Sequence, residues 1–378
     1  MLENESKLKE STKLIYITKT SWWDTDITLI PLLKQQGINL NLIVITSNTV
    51  SKYSEQEINE FCNKNSILCN LIQRKRRIRN ISNLMIAFKV WNTIRKLKTR
   101  NNWIFYEYIT DPYLNLLMLL YNKNKLIISF HNYREHKSTN KNVIDLYFKW
   151  LYFNHYNYFH FHSEEQYDIF SHDYPNKKSF YTIMPLKDYG NEVNEITKVK
   201  TKRVFLFFGY IEDYKNLSLL ITSVESLNRS DIKLIIAGYC SDFSQYDKII
   251  TKRYLYDLNI RFIDNKEIPN LFNKADYLVL PYKETTQSGP FLIALNYNLP
   301  VIASNVGSFP NLIENRVDGL IFDSAKRNGL AETLTFACEM TEDYYQKIKR
   351  NQKQRAVDYF NLSQNNGLKF IKHLTLWK

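Results

Sequence analysis

Two small-residue turns in the second half of the chain have the composition of phosphate-binding sites. One is the turn Thr286–Gly289, which stands directly before an apolar helical segment. A turn that opens a helix presents unpaired N–H groups at the positive end of the helix dipole, which suits an anion. The other lies upstream, where the apolar run Val204–Phe208 leads into Gly209 and then Lys215. Two such turns in one half of the chain predict a ligand that carries a diphosphate.

A further group of candidate residues follows an apolar run in the first half. Leu126–Phe130 leads into His131 and Asn132. The carboxyl ends of strands in open α/β sheets face the crevice where ligands bind, so both side chains are candidates for a site. The alternative is that they only cap a strand. Glu135 and His136 are candidates for a general base, because both residue types can be tuned to titrate near neutral pH.

The elements that must position these residues alternate between strand and helix. In the first half, Ile27–Gln36 is predicted to be a helix that Gly37 ends, and Pro112 is predicted to open another. The predicted strands of that half are Lys13–Thr18, Asn41–Thr46, Trp103–Tyr106 and Leu126–Phe130. Those of the second half are Val204–Phe208, Lys233–Ala237, Ile260–Ile263, Tyr277–Leu280, Val301–Ala303 and Leu320–Phe322. This alternation predicts an α/β protein with parallel sheets covered on both faces.

A stretch between Lys187 and Arg203 has the composition of a solvated linker, with glycine, asparagine and several lysines. We therefore predict two doubly wound, Rossmann-like domains, at residues 1–190 and 200–362. The last segment, 363–378, is predicted to be a helix that packs back on the first domain.

Composition and charge narrow the possible classes of function. The chain has 378 residues, of which 44% are hydrophobic, so a disordered protein is excluded. The net charge of +13 implies an anionic partner: nucleic acid, a phosphorylated substrate or a membrane surface. Four cysteines without a C-x-x-C pair support neither a disulfide framework nor a zinc site. The polar N-terminus and the short apolar runs predict a cytoplasmic protein without a membrane span.

The segment Arg74–Arg100 is strongly basic and contains no acidic residue. Its apolar residues recur at helical spacing: Ile81, Leu84, Met85, Phe88 and Trp91. One interpretation is a helix that packs this stripe on the sheet and exposes a basic face. The other is docking on anionic lipid headgroups, to which each Lys or Arg contributes ~1 kcal/mol.

From Val204 to Asp323 the chain resembles the donor-binding domain of GT-B glycosyltransferases of the family 4 type. The element from Phe208-Gly209 to Lys215-Asn216 is similar to the family's strand, glycine loop and lysine, in which the lysine pairs with the donor diphosphate. The resemblance implies the GT-B fold and a nucleotide-sugar donor. The donor-binding residues that it implies are Gly209, Tyr210, Lys215, Gly238, Ile263, Glu284, Thr286, Gln287, Ser288 and Gly289.

The family usually carries two glutamates eight positions apart around the second turn. Here these positions fall on Thr285 and Ile293, and Glu284 is one residue away from the first. We interpret this as a subfamily trait. In related glycosyltransferases a histidine at the strand end corresponding to His131 touches the transferred sugar.

The resemblance implies metal-independent transfer of a hexose to a glycan acceptor that is lipid-linked, in bacterial surface polysaccharide synthesis such as capsule or O-antigen. Together with the basic segment Arg74–Arg100, the resemblance predicts an enzyme bound peripherally at the inner face of the plasma membrane. We expect no cofactor, and no nucleic acid partner because the basic residues do not follow a nucleic-acid-binding module. Two alternatives stay open: a GT-B sugar-nucleotide epimerase and a non-catalytic basic scaffold. The sequence also leaves open whether the anomeric configuration is retained or inverted.

The loop before the first predicted helix holds candidate acceptor-binding residues, Trp22, Trp23 and Asp24, because exposed aromatics beside a carboxylate suit sugars. The triplet Asp24-Thr25-Asp26 has the D-x-D pattern that holds a metal in the other large glycosyltransferase architecture. We interpret Asp26 as a helix N-cap instead and predict no metal site. The histidines of a predicted strand over Tyr152–His162, namely His155, His160 and His162, are interpreted as core or rim residues.

Overall fold

The computed structural model describes residues 13–47, 53–74, 81–97, 102–134, 143–190 and 203–377. The chain divides into two compact units. Of the described residues, those of 13–185 and 362–377 belong to unit 1, and those of 186–361 belong to unit 2. None of the described helices combines the length and the apolar character that crossing a lipid bilayer requires.

Unit 1 is built on a parallel sheet of seven strands in the order β3-β2-β1-β4-β5-β6-β7. The strands are β1 (Lys13–Lys19), β2 (Asn39–Ser47), β3 (Leu68–Arg74), β4 (Trp103–Glu107), β5 (Leu126–Phe130), β6 (Tyr158–Phe161) and β7 (Lys178–Tyr181). Every residue of β4 and β5 is buried, because helices cover both faces of the sheet. The direction of winding changes between β1 and β4, and ligands bind at such switch points in open α/β sheets.

Within the described residues, the helices that connect these strands are α1 (Trp23–Gln35), α2 (Glu55–Lys64), α3 (Leu84–Leu97), α4 (Pro112–Met118), α5 (Val143–His155) and α6 (Glu164–Asp173). Local sequence explains where several begin and end. Asp111 caps α4 by accepting from the amides of Tyr113 and Leu114, and Pro112 occupies the first turn as predicted. Gly37, with a φ of 81°, follows the end of α1, also as predicted.

Unit 2 contains a second parallel sheet, in the order β10-β9-β8-β11-β12-β13. Its strands are β8 (Arg203–Phe208), β9 (Ile232–Ala237), β10 (Tyr256–Asn259), β11 (Tyr277–Leu280), β12 (Val301–Ser304) and β13 (Leu320–Phe322). The helices are α7 (Leu217–Ser226), α8 (Ser244–Asp247), α9 (Ile268–Lys274), α10 (Gly289–Asn296), α11 (Phe309–Leu312), α12 (Gly329–Glu339) and α13 (Glu342–Gln364). The α/β class with two Rossmann-like units is therefore confirmed.

Two strand predictions are wrong in part. The strand predicted at Ile260–Ile263 lies earlier, because β10 spans Tyr256–Asn259 and the chain leaves the sheet after it. The strand predicted over Tyr152–His162 is only the short β6, since helix α5 continues to His155. Aromatic residues crowd both elements, so their composition alone does not mark where the helix ends.

The last helix, α14 (Asn366–Leu376), packs in unit 1. Gly367 permits this, because a Cβ at that position would lie 2.8 Å from the carbonyl oxygen of Leu32 on α1. Phe370 and Leu374 are buried in the same apolar cluster as Trp23. The Asn366 amide donates to the Ile183 carbonyl at 2.8 Å and accepts from the Ile183 N–H at 3.2 Å, as a neighbouring strand would.

Candidate functional site

The turn at Gly209 brings a lysine and a helix N-terminus together in unit 2. Gly209 follows β8, next to the switch point between β8 and β11. Its φ is 105°, and a Cβ there would lie 3.2 Å from Lys215 Nζ and 3.6 Å from Pro290 Cγ. The absence of a side chain thus leaves room for the ammonium group and for the start of α10 beside the same backbone. The two turns that the sequence singled out meet at this point.

A second glycine packs directly against the first. Gly238 follows β9 with a φ of 154°, and a Cβ there would lie 1.9 Å from the carbonyl oxygen of Gly209. The Gly209 N–H donates to Ala237 O at 2.9 Å, and the Gly238 N–H donates to Asn259 O at 3.0 Å. The carboxyl ends of β8, β9 and β10 are therefore held side by side, and Gly238 packs so closely on the Gly209 backbone that no side chain would fit there.

Lys215 is held in place although its side chain is long. It ends a short 3₁₀ turn that begins at Asp213, and Asn216 after it takes a left-handed conformation with a φ of 55°. Only 6% of its surface is exposed, and its ammonium lies 5.9 Å from the ring centres of Tyr214 and Tyr282. Such packing fixes the position of a positive charge before any ligand arrives.

The start of α10 offers one helix amide to a ligand. Ser288 caps the helix, since its Oγ accepts from the Phe291 N–H at 3.3 Å. Pro290 has no N–H. Ser288 occupies the Phe291 N–H and Pro290 has none, so the Gly289 N–H is the helix-terminal donor that remains for a ligand. Gln287 and Ser288 precede it in the turn.

A second buried lysine reaches the same helix terminus. Lys187 is 8% exposed, and its Nζ lies 3.5 Å from the position that a Cβ on Gly289 would occupy. The sequence did not identify this residue, because it stands in the stretch that we interpreted as a linker. No spacing rule connects it with Gly289, so only the fold reveals the proximity.

The other predicted donor-binding residues lie around these turns. Glu284, Thr286 and Gln287 belong to the loop between β11 and α10 and are half-buried. Tyr210 follows Gly209 and is half-exposed, whereas the Ile263 side chain is buried, which leaves its backbone for contact with a ligand. Ile293, at a position where the resembling family carries a glutamate, is buried inside unit 2. It cannot bind a ribose hydroxyl.

Unit 1 has a separate polar cluster, at the carboxyl edge of its sheet. His131 follows β5 and lies between two aromatic rings. Trp22 stacks on it with ring centres 3.6 Å apart, and His162 stacks on its other face at 4.0 Å. Lys19 Nζ lies over the outer face of the series, 4.4 Å from the Trp22 ring. With both faces covered, only the edge of the His131 ring can meet a ligand.

Glu107, the last residue of β4, orients both histidines. Its Oε1 lies 3.5 Å from Nε2 of His131 and 3.5 Å from Nε2 of His162. Burial works to raise the pKa of Glu107, but hydrogen bonds and charge from the two histidines bring it to about 2. Burial and the neighbouring His162 lower the pKa of His131 to about 4. At neutral pH the carboxylate therefore favours hydrogen on Nε2 of an uncharged His131, so Nδ1 is left as an acceptor.

Asp26 does not cap a helix, and that prediction is wrong. It lies inside α1, fully buried, and accepts from the Tyr16 hydroxyl at 2.7 Å. The Thr18 hydroxyl oxygen lies 2.7 Å from Asp26 Oδ2 and 2.5 Å from Glu107 Oε2. Burial, then the charge of Glu107, raises the pKa of Asp26 well above its usual range. Because Thr18 has one hydroxyl hydrogen for two carboxyl groups, Asp26 carries the other.

Glu107, His131 and His162 are also the residue types that bind metal ions, and their ligand atoms lie within 4.8 Å of one another. The ring geometry does not fit a shared ion. The His131 and His162 planes are within 19° of parallel at 4.0 Å, so their nitrogen lone pairs run side by side rather than converge. We therefore describe the group as a buried carboxylate that faces the Nε2 edges of two histidine rings.

The remaining predicted residues of this half differ in their placement. Asp24, Trp22 and Asn132 are half-buried at the edge that carries His131. The prediction that Trp23 is exposed is wrong, because its indole is fully buried and packs edge-on against Phe61. Glu135 and His136 lie outside the described residues.

Helix α3 exposes the apolar stripe that the sequence identified. The opposite face of the helix packs into the core, where Ile86, Ala87, Val90 and Ile94 are buried. The stripe residues that lie exposed are Ile81, Leu84, Met85 and Phe88. The interpretation in which the stripe packs on the sheet is therefore wrong for these four residues, whereas Trp91 is partly buried against the core. Arg74, counted in the same basic segment, is buried in β3 and pairs with Asp111 at 3.1 Å.

Comparison with known proteins agrees with this geometry. Residues 188–355 match the family model described as Glycosyl transferases group 1. Among curated proteins, an uncharacterized 41.2 kDa protein in the cps region of Klebsiella pneumoniae is 28% identical over 141 residues, 37% of this chain and 38% of that protein. The putative glycosyltransferase YtcC of Bacillus subtilis is 27% identical over 181 residues, 44% of this chain and 43% of its own length. The chain thus spans less than half of the length of these relatives.

Solved structures resemble the chain over nearly its whole length. Anabaena HepE, solved in complex with UDP, gives a TM-score of 0.68 at 13% identity and covers 96% of this chain and 99% of its own. A glycosyltransferase from Rickettsia africae gives 0.66 at 15% identity, with coverages of 96% and 98%. At such identities the likeness shows the fold, which is that of GT-B proteins.

Proposed function

We propose that this protein is a glycosyltransferase that moves a hexose from a nucleoside-diphosphate sugar to a glycan acceptor. The observation that carries the proposal is the meeting of Lys215 and the start of α10 at the Gly209 turn. When the bond to the sugar breaks, negative charge builds on the departing diphosphate. A fixed ammonium and a helix-terminal amide stabilise that charge. The family model that matches residues 188–355 supports the same chemistry.

In this proposal unit 2 binds the donor and unit 1 binds the acceptor. Stacking by Trp22 and His162 holds the His131 ring, and its Nδ1 can accept a hydrogen bond at the ring edge. A hydroxyl group of a sugar can donate this hydrogen bond. Asn132, Trp22 and Asp24 lie on the same rim and would contact the acceptor. The reaction needs no metal in this scheme, since Lys215 supplies the positive charge.

A shift in melting temperature tests the donor site. Wild-type protein should be stabilised by at least one of UDP, ADP, GDP and dTDP, because a ligand that binds only the folded state raises its stability. Lys215→Ala should weaken binding of that nucleotide at least tenfold, since a hydrogen bond to a charged group contributes about 1.5–3 kcal/mol. Lys248→Ala, at an exposed lysine after α8, is the matched control and should bind normally.

Turnover then separates transferase from epimerase. Incubation with the matching nucleotide sugar and a lipid-linked glycan extract should give a longer glycan and free nucleoside diphosphate. An isomerised sugar nucleotide formed without acceptor would refute the transferase proposal. So would a Lys215→Ala protein that is folded and turns over donor at the wild-type rate.

The acceptor in this proposal is lipid-linked and belongs to a surface polysaccharide. One support is the Klebsiella relative, whose name places its gene in a cps region. The other support is the set of exposed apolar side chains on the surface of unit 1. Helix α5 exposes further apolar and aromatic side chains, and it packs on the same core cluster as α3 and α4. The exposed apolar residues of α5 are Val143, Ile144, Leu146, Tyr147 and Trp150.

We propose that this apolar surface of α3 and α5 lies in the headgroup region of an anionic membrane. Exposed apolar patches of this kind mark interaction sites, and basic residues beside them attract anionic lipid. Lys89 and Lys96 are exposed on α3, and Arg95 lies with its guanidinium 4.6 Å from the Trp91 ring. The same segment holds more arginines and lysines in the sequence, at 75–79 and 98–100. A peripheral site at the inner face of the plasma membrane would bring the enzyme to its acceptor.

Vesicle flotation tests this surface. The protein should float with vesicles that contain anionic phospholipid and should bind purely zwitterionic vesicles far less, with binding that falls as salt rises. Phe88→Glu should reduce binding about tenfold or more, since the phenyl ring no longer enters the interface. Val357→Glu, at an exposed apolar residue of α13, is the control. Equal binding of Phe88→Glu and wild type would contradict the proposal.

A further inference from the structure

We propose that a pocket at the amino edge of the unit 1 sheet binds a sugar that carries an anionic group. We call it the amino-edge pocket. Its volume is about 360 Å³, which is at the small end of the range for ligand pockets and suits a single sugar ring. Its residues all belong to unit 1, so the pocket is distinct from the donor site that we propose in unit 2.

The amino-edge pocket lies where three neighbouring strands begin. Lys125 directly precedes β5, Asn157 directly precedes β6, and Lys178 is the first residue of β7. The Lys178 N–H donates to the Asn157 carbonyl at 2.9 Å, which holds two of these strand starts together. His131 follows the other end of β5, six residues from Lys125, and six extended residues span about 20 Å. The pocket is therefore separate from the His131 cluster as well.

Three asparagines supply most of the polar groups that are not charged. They are Asn124, Asn157 and Asn176. The Asn157 NH₂ donates to Asn124 Oδ1 at 2.9 Å, which orients both amides, and Asn176 is exposed. An amide both donates and accepts hydrogen bonds, as each hydroxyl group of a sugar does. The asparagines therefore match a ligand with several hydroxyl groups.

Two aromatic side chains form one wall of the pocket. The rings of Tyr158 and Trp377 lie 4.6 Å apart between centres and within 26° of parallel. Tyr158 also packs edge-on against Trp103, with ring centres 5.2 Å apart. This packing fixes an apolar surface beside the amides, and the C–H groups of a sugar ring can pack on such a surface.

The positive charge at the pocket has no matching carboxylate. Among the described residues that line it, two are lysines and none is acidic. Burial and the charge of Lys123 lower the pKa of Lys177, so the ammonium groups around the pocket repel one another. Asp173 is close to Lys177 in sequence, but its carboxylate pairs with Arg134 at 2.9 Å. No aspartate or glutamate occurs in the segments that provide the three strand starts, 121–128, 154–160 and 174–181. An anionic group on the sugar relieves this repulsion.

The position of the pocket favours a soluble ligand over a lipid headgroup. Tyr158 belongs to the apolar cluster of unit 1 on which Trp377 packs, whereas Tyr152 and Phe153 of α5 belong to the other cluster. The pocket therefore opens beside α14, on the face of the sheet opposite to the surface of α3 and α5. Uronic acids and sugar phosphates are soluble ligands that combine hydroxyl groups with an anionic group.

Ligand-observed NMR titration with glucuronate, glucose 6-phosphate and glucose tests the amino-edge pocket. Wild type should bind at least one of the two acidic sugars about threefold or more tightly than glucose. Lys178→Gln should weaken that acidic sugar about threefold to 30-fold and leave glucose within about twofold, because it removes only a charge. Asn176→Ala should weaken all three sugars, since the amide binds hydroxyl groups. The acidic sugar that binds more tightly shows whether the pocket prefers a carboxylate or a phosphate.

Lys13→Gln is the matched control. Lys13 is also exposed and is the first residue of β1 at the same edge of the sheet, but three strands separate β1 from β7. It should bind all three sugars as wild type does. Lys215→Ala should also keep the preference for the acidic sugar, because the pocket is independent of the proposed donor site. A preference that disappears in Lys215→Ala would assign the acidic sugar to the donor site and overturn the proposal.

Three further results would overturn the amino-edge pocket. The first is a wild type that binds neither acidic sugar more tightly than glucose, or a preference that persists in Lys178→Gln. The second is inorganic phosphate that binds wild type as tightly as the preferred acidic sugar does, because the sugar ring would then contribute nothing. The third is a loss of vesicle flotation in Lys178→Gln, which would assign the pocket to the membrane surface.

Discussion

Lys187 and Lys215 place two buried ammonium groups near the start of one helix. Burial of a cation is unfavourable, and the positive end of the helix dipole adds to the repulsion. An anion between them relieves both effects. We therefore expect a diphosphate to bind more tightly to both lysines than to either one alone.

We predict that Lys187→Ala weakens binding of the stabilising nucleoside diphosphate by about fivefold to 50-fold. The loss of one charge-assisted contact sets this range. It should weaken inorganic pyrophosphate by a similar factor, since the ammonium lies beside Gly289 at the helix start. Calorimetric titration measures both affinities, with Lys248→Ala as the control. A variant that binds pyrophosphate as tightly as wild type would show that Lys187 has no part in the site.

The proton on Asp26 leads to a second prediction. Asparagine is a close substitute for a protonated aspartate, because its carbonyl can accept from Tyr16 and its NH₂ can donate to Thr18. Asp26→Asn should therefore fold and be more stable than wild type at pH 8. The folded-state pKa of Asp26 is raised, so wild-type stability is complete below the unfolded pKa of about 3.9 and is lost as pH rises toward the folded pKa.

Urea denaturation at pH 4.5 and pH 8 checks this sign. The advantage of Asp26→Asn should grow by at most about 1.4 kcal/mol per pH unit between the two pKa values. The control is Asp168→Asn, at an exposed aspartate of α6, which should change stability little at either pH. If Asp26→Asn were the less stable protein at pH 8, the carboxyl group would be ionised in the folded state.

At the scale of single elements, α14 allows a prediction about packing. Phe370 is fully buried and contacts rings of three other segments, namely Phe105, His160 and Phe180. Phe370→Ala should cost about 3–5 kcal/mol of stability, because it leaves a cavity in the core of unit 1. Leu376→Ala, at an exposed residue of the same helix, should cost less than about 0.5 kcal/mol. Equal effects in urea denaturation would mean that α14 does not pack there in solution.

The sequence predicted elements well where the signal is local. Asp111-Pro112 marks the start of α4, and apolar runs mark β1, β4 and β5. It failed for the stripe of α3, since helical periodicity gives two apolar faces there and does not say which one meets the sheet. Ile86 and Val90 lie inward while Leu84 and Phe88 stay exposed.

The same distinction between local and long-range signals applies to the candidate functional sites. The turns at Gly209 and Gly289 were found because small residues and a lysine are adjacent in sequence. Glu107 and His162 were missed as partners of His131, because they come from β4 and from the residue after β6. Only the parallel register of neighbouring strands brings them together, and spacing along the chain does not encode that register.

At the scale of the whole molecule, the described residues include three apolar clusters, and each of these has all its members in one unit. In unit 1 two clusters flank the sheet, and in unit 2 a cluster lies against the sheet with α7 and α12. Helix α14 contributes to a unit 1 cluster although it is last in sequence. We therefore expect that a core substitution changes the stability of its own unit and that a ligand of unit 2 acts on unit 2 first.

We predict that differential scanning calorimetry resolves a separate unfolding transition for each unit. A nucleoside diphosphate at a free concentration of about 100 times its Kd contributes about 2.7 kcal/mol, which raises the Tm of unit 2 by about 5–10 °C. Phe370→Ala should lower the Tm of the other transition, because its cavity lies in unit 1. In that variant the nucleotide should still raise the unit 2 transition by the wild-type amount, and Lys215→Ala should abolish most of the rise. A single transition that both the nucleotide and Phe370→Ala displace would show that the two units unfold together.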